Sequence, residues 1–433
     1  MKRLLSAPLS GLLIIGAVAV RGASLPEIGE SQKARELNNI GSLYFQRGDL
    51  ARAEAMFSEA ASMGEPEAAV NLAATLRAEA RLAEAERAYQ KALAVPSPSG
   101  YQGLAELYRD MGRYAEAEQS ARHALDLREP AAGGTAANIA ATLNLLGMLA
   151  TLQGHPADAV AYLQRALTEA ERDSTANQAA LADILVNLGN ADRLHGDLGN
   201  AQAHLQRALT LSNGAESVRA AAALNGLSLT ARERGDFKQA RTLGTRALQV
   251  LRATAGPEHP DYAATLSNLA LIDEDLHDDR KARDLLMEAL RIDQRKLGPD
   301  HPRIGVDLNN LGVISTRLRD YSSAESYFLR ALEAEGKRNP GSVQLALWTA
   351  NLASLYSREH RDAEALTDFR NATTTLYAAD RGDMRTAAIL QEYAGLLRAA
   401  GSFAEARDAE SKAMGIRVKF VLVNPKDARA AGL

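Results

Sequence analysis

Along most of the chain, small and bulky apolar residues recur in one fixed order. Setting "GRYAEAEQSARHAL" beside "GDLARAEAMFSEAA" and "GHPADAVAYLQRAL" fixes the register. One position then reads Ala53, Ala85, Ala117, Ala159, Ala201, Ala240, Ala282, Ala324, Ala365 and Ala406. Seven residues later stand Ala60, Ala92, Ala124, Ala166, Ala208, Ala247, Ala289, Ala331, Ala372 and Ala413. Twelve residues before the first series the residue is again small: Gly41, Ala73, Ala105, Gly147, Gly189, Ser228, Ala270, Gly312, Ala353 and Ala394. Bulky residues frame these points. Ile40, Leu72, Leu104, Leu146, Leu188, Leu227, Leu269, Leu311, Leu352 and Tyr393 each precede a small residue, and Phe57, Tyr89, Leu163, Leu205, Leu286, Phe328 and Phe369 lie between the two alanine series at helical spacing.

Two antiparallel helices approach closely only where neither carries bulk, so each unit predicts a helix pair with bulky side chains filling the grooves beside the contact. Between the two helices, Gly48, Gly112, Gly154, Gly196, Gly235 and Gly401 supply a left-handed turn. His277, Arg319 and His360 hold that place in three units, where a costlier turn is expected.

The register resembles the tetratricopeptide repeat, a helix–turn–helix unit with small residues at three fixed positions. The first three units are spaced by 32 residues and the later ones by 39 to 42. The longer units, in which "LGPDHP" leads into "LNNLG", resemble the kinesin-light-chain type of repeat. The resemblance covers residues 34 to 418. It implies an all-α superhelical solenoid of about ten repeats. Three short repeats occupy residues 32–128, seven long ones residues 135–418, and a C-terminal tail residues 419–433. The Pro-, Gly- and Ala-rich "REPAAGGTAAN" at 128–138 is the expected hinge between them. Late in the chain, "GIRVKFVLV" is too short to assign, with a cap over the open end of the array as one reading.

The repeat also explains a motif that otherwise invites a catalytic reading. "GPEHPDYAATLSNLA" and "GPDHPRIGVDLNNLG" place His259 and His301 immediately before Pro260 and Pro302. Proline fits the first turn of a helix, where its missing N–H is no loss, so both histidines mark helix starts.

Composition narrows the function. Hydrophobic residues make up 46% of the 433 and charged residues 24%, as expected of a folding chain without long disordered tracts. Fifty Lys and Arg against 54 Asp and Glu give a net charge of −4, which lacks the footprint of a general nucleic-acid binder. There is no cysteine, which excludes disulfides, thiol catalysis, cysteine-held zinc and a lipidated N-terminal cysteine. At the N-terminus, Lys2 and Arg3 precede an apolar run from Leu12 to Val20 and then small residues, the order of a signal peptide over residues 1–22. This run is too short to span a bilayer. Export to the periplasm or outside the cell is the expectation. An uncleaved segment that anchors the chain, or a mis-assigned start and a cytoplasmic location, are the alternatives.

No Gly-rich phosphate loop, nucleophile elbow or paired-histidine metal helix occurs, and the repeats leave no room for a catalytic domain. The expected catalytic, cofactor-binding and metal-binding residues are therefore none. His123, His155, His195 and His204 are scattered, "DEDLHDD" at 273–279 reads as a solvated acidic face, and Trp348 reads as packing.

Stacked repeats line an extended concave groove with their first helices. Two residues before the small position of that helix stand Asn39, Asn71, Asn187, Asn268, Asn310 and Asn351. Their amides either pair with the backbone of an extended peptide, as the resemblance implies, or bridge neighbouring repeats. One turn further on stand Arg77, Arg109, Arg193, Arg232 and Arg398, with Arg317 and Arg358 one residue later in register. These arginines either read an acidic peptide or serve the negative end of the helix dipole. The expected function is a non-enzymatic protein-interaction scaffold that holds a peptide or partner protein, in one form an acidic one, in the groove. The alternative is an auxiliary subunit that uses the convex face or the array ends, where self-association is also open.

Overall fold

Each of the ten expected helix pairs is present. The computed structural model describes residues 29–129, 134–172, 177–212, 217–299, 301–379 and 384–423, and among these residues there is no strand. The leader expected over residues 1–22 and the last ten residues lie outside them. The chain separates into two compact units at Val95/Pro96.

The first unit holds α1 (Glu30–Gln46), α2 (Leu50–Ser62), α3 (Pro66–Ala78) and α4 (Leu82–Ala92). The second begins with α5 (Pro98–Asp110), α6 (Tyr114–Asp126), α7 (Ala136–Leu152), α8 (Pro156–Arg172), α9 (Gln178–His195) and α10 (Leu198–Leu211). It continues with α11 (Val218–Glu233), α12 (Phe237–Thr254), α13 (Pro260–Asp275), α14 (Asp279–Leu297), α15 (Pro302–Arg317) and α16 (Tyr321–Arg338). It ends with α17 (Val343–Arg358), α18 (Asp362–Ala378), α19 (Met384–Ala399) and α20 (Phe403–Val423). Odd-numbered helices are the first of each repeat and even-numbered ones the second. The extra residues of the later repeats lengthen both helices: α3 to α6 run 11 to 13 residues, α14 runs 19 and α16 runs 18.

The alanine register is the packing register. All ten alanines of the first series are 0% exposed, and those of the second are buried except Ala92, half-exposed at the end of the first unit. Opposite them, the first-helix glycines sit where a side chain cannot: a Cβ on Gly41 would lie 2.7 Å from Phe57, on Gly189 2.6 Å from Leu205, and on Gly312 2.6 Å from Phe328. Trp348 packs as expected, buried among Leu286, Leu290, Ile304 and Leu308 with Gly305 beneath its ring. Ile40 departs from the pattern at 42% exposed, in the first of the described repeats.

Helix boundaries follow local chemistry. Asp49, Asp197, Asp236 and Asp320 cap second helices by accepting a backbone N–H three residues on. His259 and His301 start α13 and α15 as expected and add a cap: each Nδ1 accepts the N–H two residues later, at 3.2 and 3.3 Å. The turns without glycine take positive φ all the same, at His277, Arg319, His360 and also Ala80. Of the expected hinge, residues 130–133 lie outside the described set. On either side of them α6 packs against α7, and the half-buried Arg128 donates to Gln102 of α5 and to Thr142 of α7 at 2.6 Å. At the far end, α20 runs on to Val423, into the stretch expected to be a tail from residue 419.

Candidate functional site

First helices of successive repeats touch one another: α1 with α3 in the first unit, and α5 with α7, α7 with α9, α9 with α11, α11 with α13, α15 with α17 and α17 with α19 in the second. They therefore line the inner side of each unit, where the asparagine and arginine positions fall.

Four of the six asparagines are engaged between repeats. Asn71 donates to Asn38 at 2.8 Å, Asn187 to Asn144 at 2.9 Å, Asn268 to Asn225 at 3.2 Å and Asn351 to Asn309 at 2.8 Å. Each bond joins a first helix to the first helix of the repeat before it. Asn310 accepts from its neighbour Asn309 at 3.4 Å, and Asn39 is exposed. Bridging of repeats, one of the two sequence readings, is thus what four of the six do in the structure. The bond uses one N–H of each donor and leaves the second N–H and the carbonyl oxygen for something else. The acceptors Asn38, Asn144, Asn225 and Asn309 were not singled out by sequence reasoning, although all four stand one residue before the same register position.

Most of the arginines are neutralised by acids of the array. Arg193 pairs with Glu233 of α11, and Arg232 with Asp275 of α13. Arg317 reaches Asp279 at 2.9 Å and Glu274 at 3.7 Å. Arg109 binds its neighbour Asp110 at 2.7 Å, and Arg398 binds Glu410 at 2.7 Å. Arg77 is half-buried and Arg358 exposed. Burial pushes the Glu274 carboxyl above its ordinary value, and the Arg317 cation beside it opposes that rise.

The run "DEDLHDD" differs from the solvated face expected of it. Asp273 is 0% exposed and meets Arg241 at 2.5 Å and Lys281 at 3.1 Å, while Asp278 meets Arg241 at 3.1 Å. It is a seam of ion pairs between repeats, invisible in sequence because the partner arginines lie more than thirty residues away. Among the described residues no group of three or more acidic, His or Cys side chains is placed to hold a metal ion.

The inner side carries a pocket of about 520 Å³ between α5, α7 and α9. Its apolar lining is Ala137, Ala140, Ala141, Leu145, Met148 and Ile184, and its polar lining is Gln102, Glu106, Arg109, Asn144, Asn177 and Asp183. Of the charged lining residues, Arg109 and Asp183 face an opposite charge and Glu106 meets a neutral amide. Glu106 accepts from Gln102 at 3.2 Å, Arg109 holds Asp110, and Asp183 accepts from Arg219 of α11 at 2.8 Å. The half-exposed Asn144 amide remains as a donor aimed at no described residue. Sequence reasoning placed Arg109 here. It missed the alanine lining, since alanine carries no chemical signal and was read only as packing.

The tetratricopeptide repeat profile matches residues 99–172, 179–253, 219–295 and 261–334, and a second tetratricopeptide repeat profile matches 38–101. The first alone spans more than half of the chain. The chain belongs to the tetratricopeptide repeat family. No curated protein sequence matches it. Among solved structures, a Rap protein complexed with Competence and Sporulation Factor is similar at a TM-score of 0.56 and 13% identity, covering 90% of this chain and 98% of that one. A tetratricopeptide repeat protein from Parabacteroides merdae is similar at 0.45 and 16%, covering 61% and 95%. BtubC (BKLC) from P. vanneervenii is similar at 0.40 and 20%, covering 53% and 91%. The likeness to the Rap protein is one of fold.

Proposed function

We propose that the chain is a non-enzymatic interaction scaffold that holds an extended peptide segment, free or part of a partner protein, on its concave side across α5, α7 and α9. The observation that carries this reading is the pocket there: a lining rich in alanine, whose small side chains let a backbone approach, beside the amides Gln102, Asn144 and Asn177. Such a surface pairs with main-chain N–H and C=O groups and favours small apolar side chains. The Rap protein of similar fold, complexed with Competence and Sporulation Factor, is consistent with the proposal.

An acidic ligand is the second reading. It rests on the recurrence of arginine, and such a ligand would exchange with Glu233, Asp275 and Glu410 for their partners. Selection of a displayed random-peptide library on the full chain separates the two. Ala141→Trp fills the pocket from an exposed position and is expected to abolish selection of extended peptides, with helix content unchanged. Arg193→Gln with Arg232→Gln is expected to leave it. The reverse result assigns the site to the arginines and removes the pocket reading. We further propose that residues 1–22 direct export; a mature N-terminus that still begins at Met1 would count against it.

A further inference from the structure

One of the glycine turns is unlike the rest. Gly48, Gly112, Gly154, Gly196, Gly235 and Gly401 all take positive φ between the two helices of a repeat. The other five are exposed apart from Gly112, and a Cβ added to Gly48, Gly196, Gly235 or Gly401 would meet nothing within 4 Å. Gly112, between α5 and α6, is buried, and the same Cβ would lie 2.6 Å from the ring of Pro302. Pro302 opens α15, five repeats further along within the second unit. Glycine at 112 is favoured by its φ and required by this close approach.

The groups around this contact sense one another. Asp110 at the end of α5 and Arg338 at the end of α16 act on His301, whose imidazole burial pushes down to about 4. Tyr114 at the start of α6 is held above its ordinary range by burial, against the cations Arg338, Arg303 and Arg109. The corresponding His259 in the preceding repeat makes no such approach; its side chain is 39% exposed and meets only its own helix, at Asp261.

We propose that the α5–α6 turn seated on His301 and Pro302 is a latch that closes the second unit on itself between its α5–α6 and α15–α16 repeats and limits entry to the concave pocket. Arg109 connects the two, since it lines the pocket and lies three residues before Gly112. A contact between distant repeats fixes the curvature of an array in which each repeat otherwise touches only its neighbours. The latch stands on geometry alone; its part in controlling entry rests on the pocket reading above.

The test compares matched variants of the full chain. Gly112→Gln and Gly235→Gln strain the same kind of left-handed turn, but only the first intrudes on another repeat. Gly112→Gln is expected to speed hydrogen exchange at 301–305 together with 109–114 and to raise the radius of gyration in scattering, whereas Gly235→Gln loosens its own turn only. Pro302→Ala against Pro260→Ala repeats the comparison from the opposite side with milder changes. If exchange at 301–305 is the same in both glycine variants, and exchange at 109–114 the same in both proline variants, the latch is overturned. Entry is read separately with Ala141→Cys, the sole thiol of an otherwise cysteine-free chain. Adding Gly112→Gln is expected to speed its labelling by a bulky maleimide severalfold. Coupled exchange with unchanged labelling removes the gating role and leaves the latch.

Discussion

At the scale of single residues, the fold is written in what is missing. Ala289 is fully buried between helices, so Ala289→Phe overfills a contact that has no room to yield, and a loss of about 1 to 3 kcal/mol is expected. Ala92 stands at the same register position but is half-exposed, and Ala92→Phe is expected to cost clearly less. Chemical denaturation of both variants checks the pair, and equal losses would show that register position alone decides. This is why the helix pairs were legible from sequence: a small residue at a close contact is a geometric necessity, repeated ten times. The binding surface was far less legible. The arginines of the inner side were found by position, but the acids that neutralise Arg193 and Arg232 lie on the next repeat about forty residues away, and no periodicity announces them.

At the scale of elements, helices α13 to α15 enclose an unusual pair of acids. Asp293 of α14 is 0% and Asp307 of α15 3% exposed, and the two carboxyls lie against each other. Asp307 accepts from Ser267 at 2.8 Å, and Arg303 stands 2.9 Å from Asp293 while donating to the carbonyl of Pro260 at 3.0 Å. Burial raises the carboxyls to about 7 for Asp307 and about 6 for Asp293, because a second charge in that space is costly. In the unfolded chain both would ionise near their ordinary 3.8. The folded state thus keeps protons that the unfolded chain releases, and this contribution to stability is full below about 4 and lost as the pH rises through about 7. Asp307→Asn keeps the acceptor for Ser267 and removes one charge. Its melting temperature is expected to exceed that of the parent on the alkaline side of neutrality, with the gap closing as the pH falls. A gap independent of pH would place the effect elsewhere. Sequence offered no route to this pair, because Asp293 and Asp307 sit in different helices and read as ordinary surface acids.

At the scale of the whole molecule, the division at Val95/Pro96 has an energetic counterpart. Short helices bury less and propagate less, so the first unit, with α2 to α4 at 11 to 13 residues, has less to hold it than the long repeats after it. Unfolding followed by hydrogen exchange is expected to open residues 30–92 at lower denaturant than 136–412. A single concerted transition for both sets would show that the two units share one cooperative structure.

The asparagine bonds carry a further consequence. They join the first repeat to the second, the fourth to the fifth, the sixth to the seventh and the eighth to the ninth. Donor and acceptor thus belong to different members of a couple, and the joints between couples are made by other chemistry, such as Ser267 to Asp307 or Ser354 to Glu392. The natural module for lengthening this chain by recombination or by design is therefore a tandem of two repeats, since splicing in one alone would leave an amide facing a neighbour that cannot answer it.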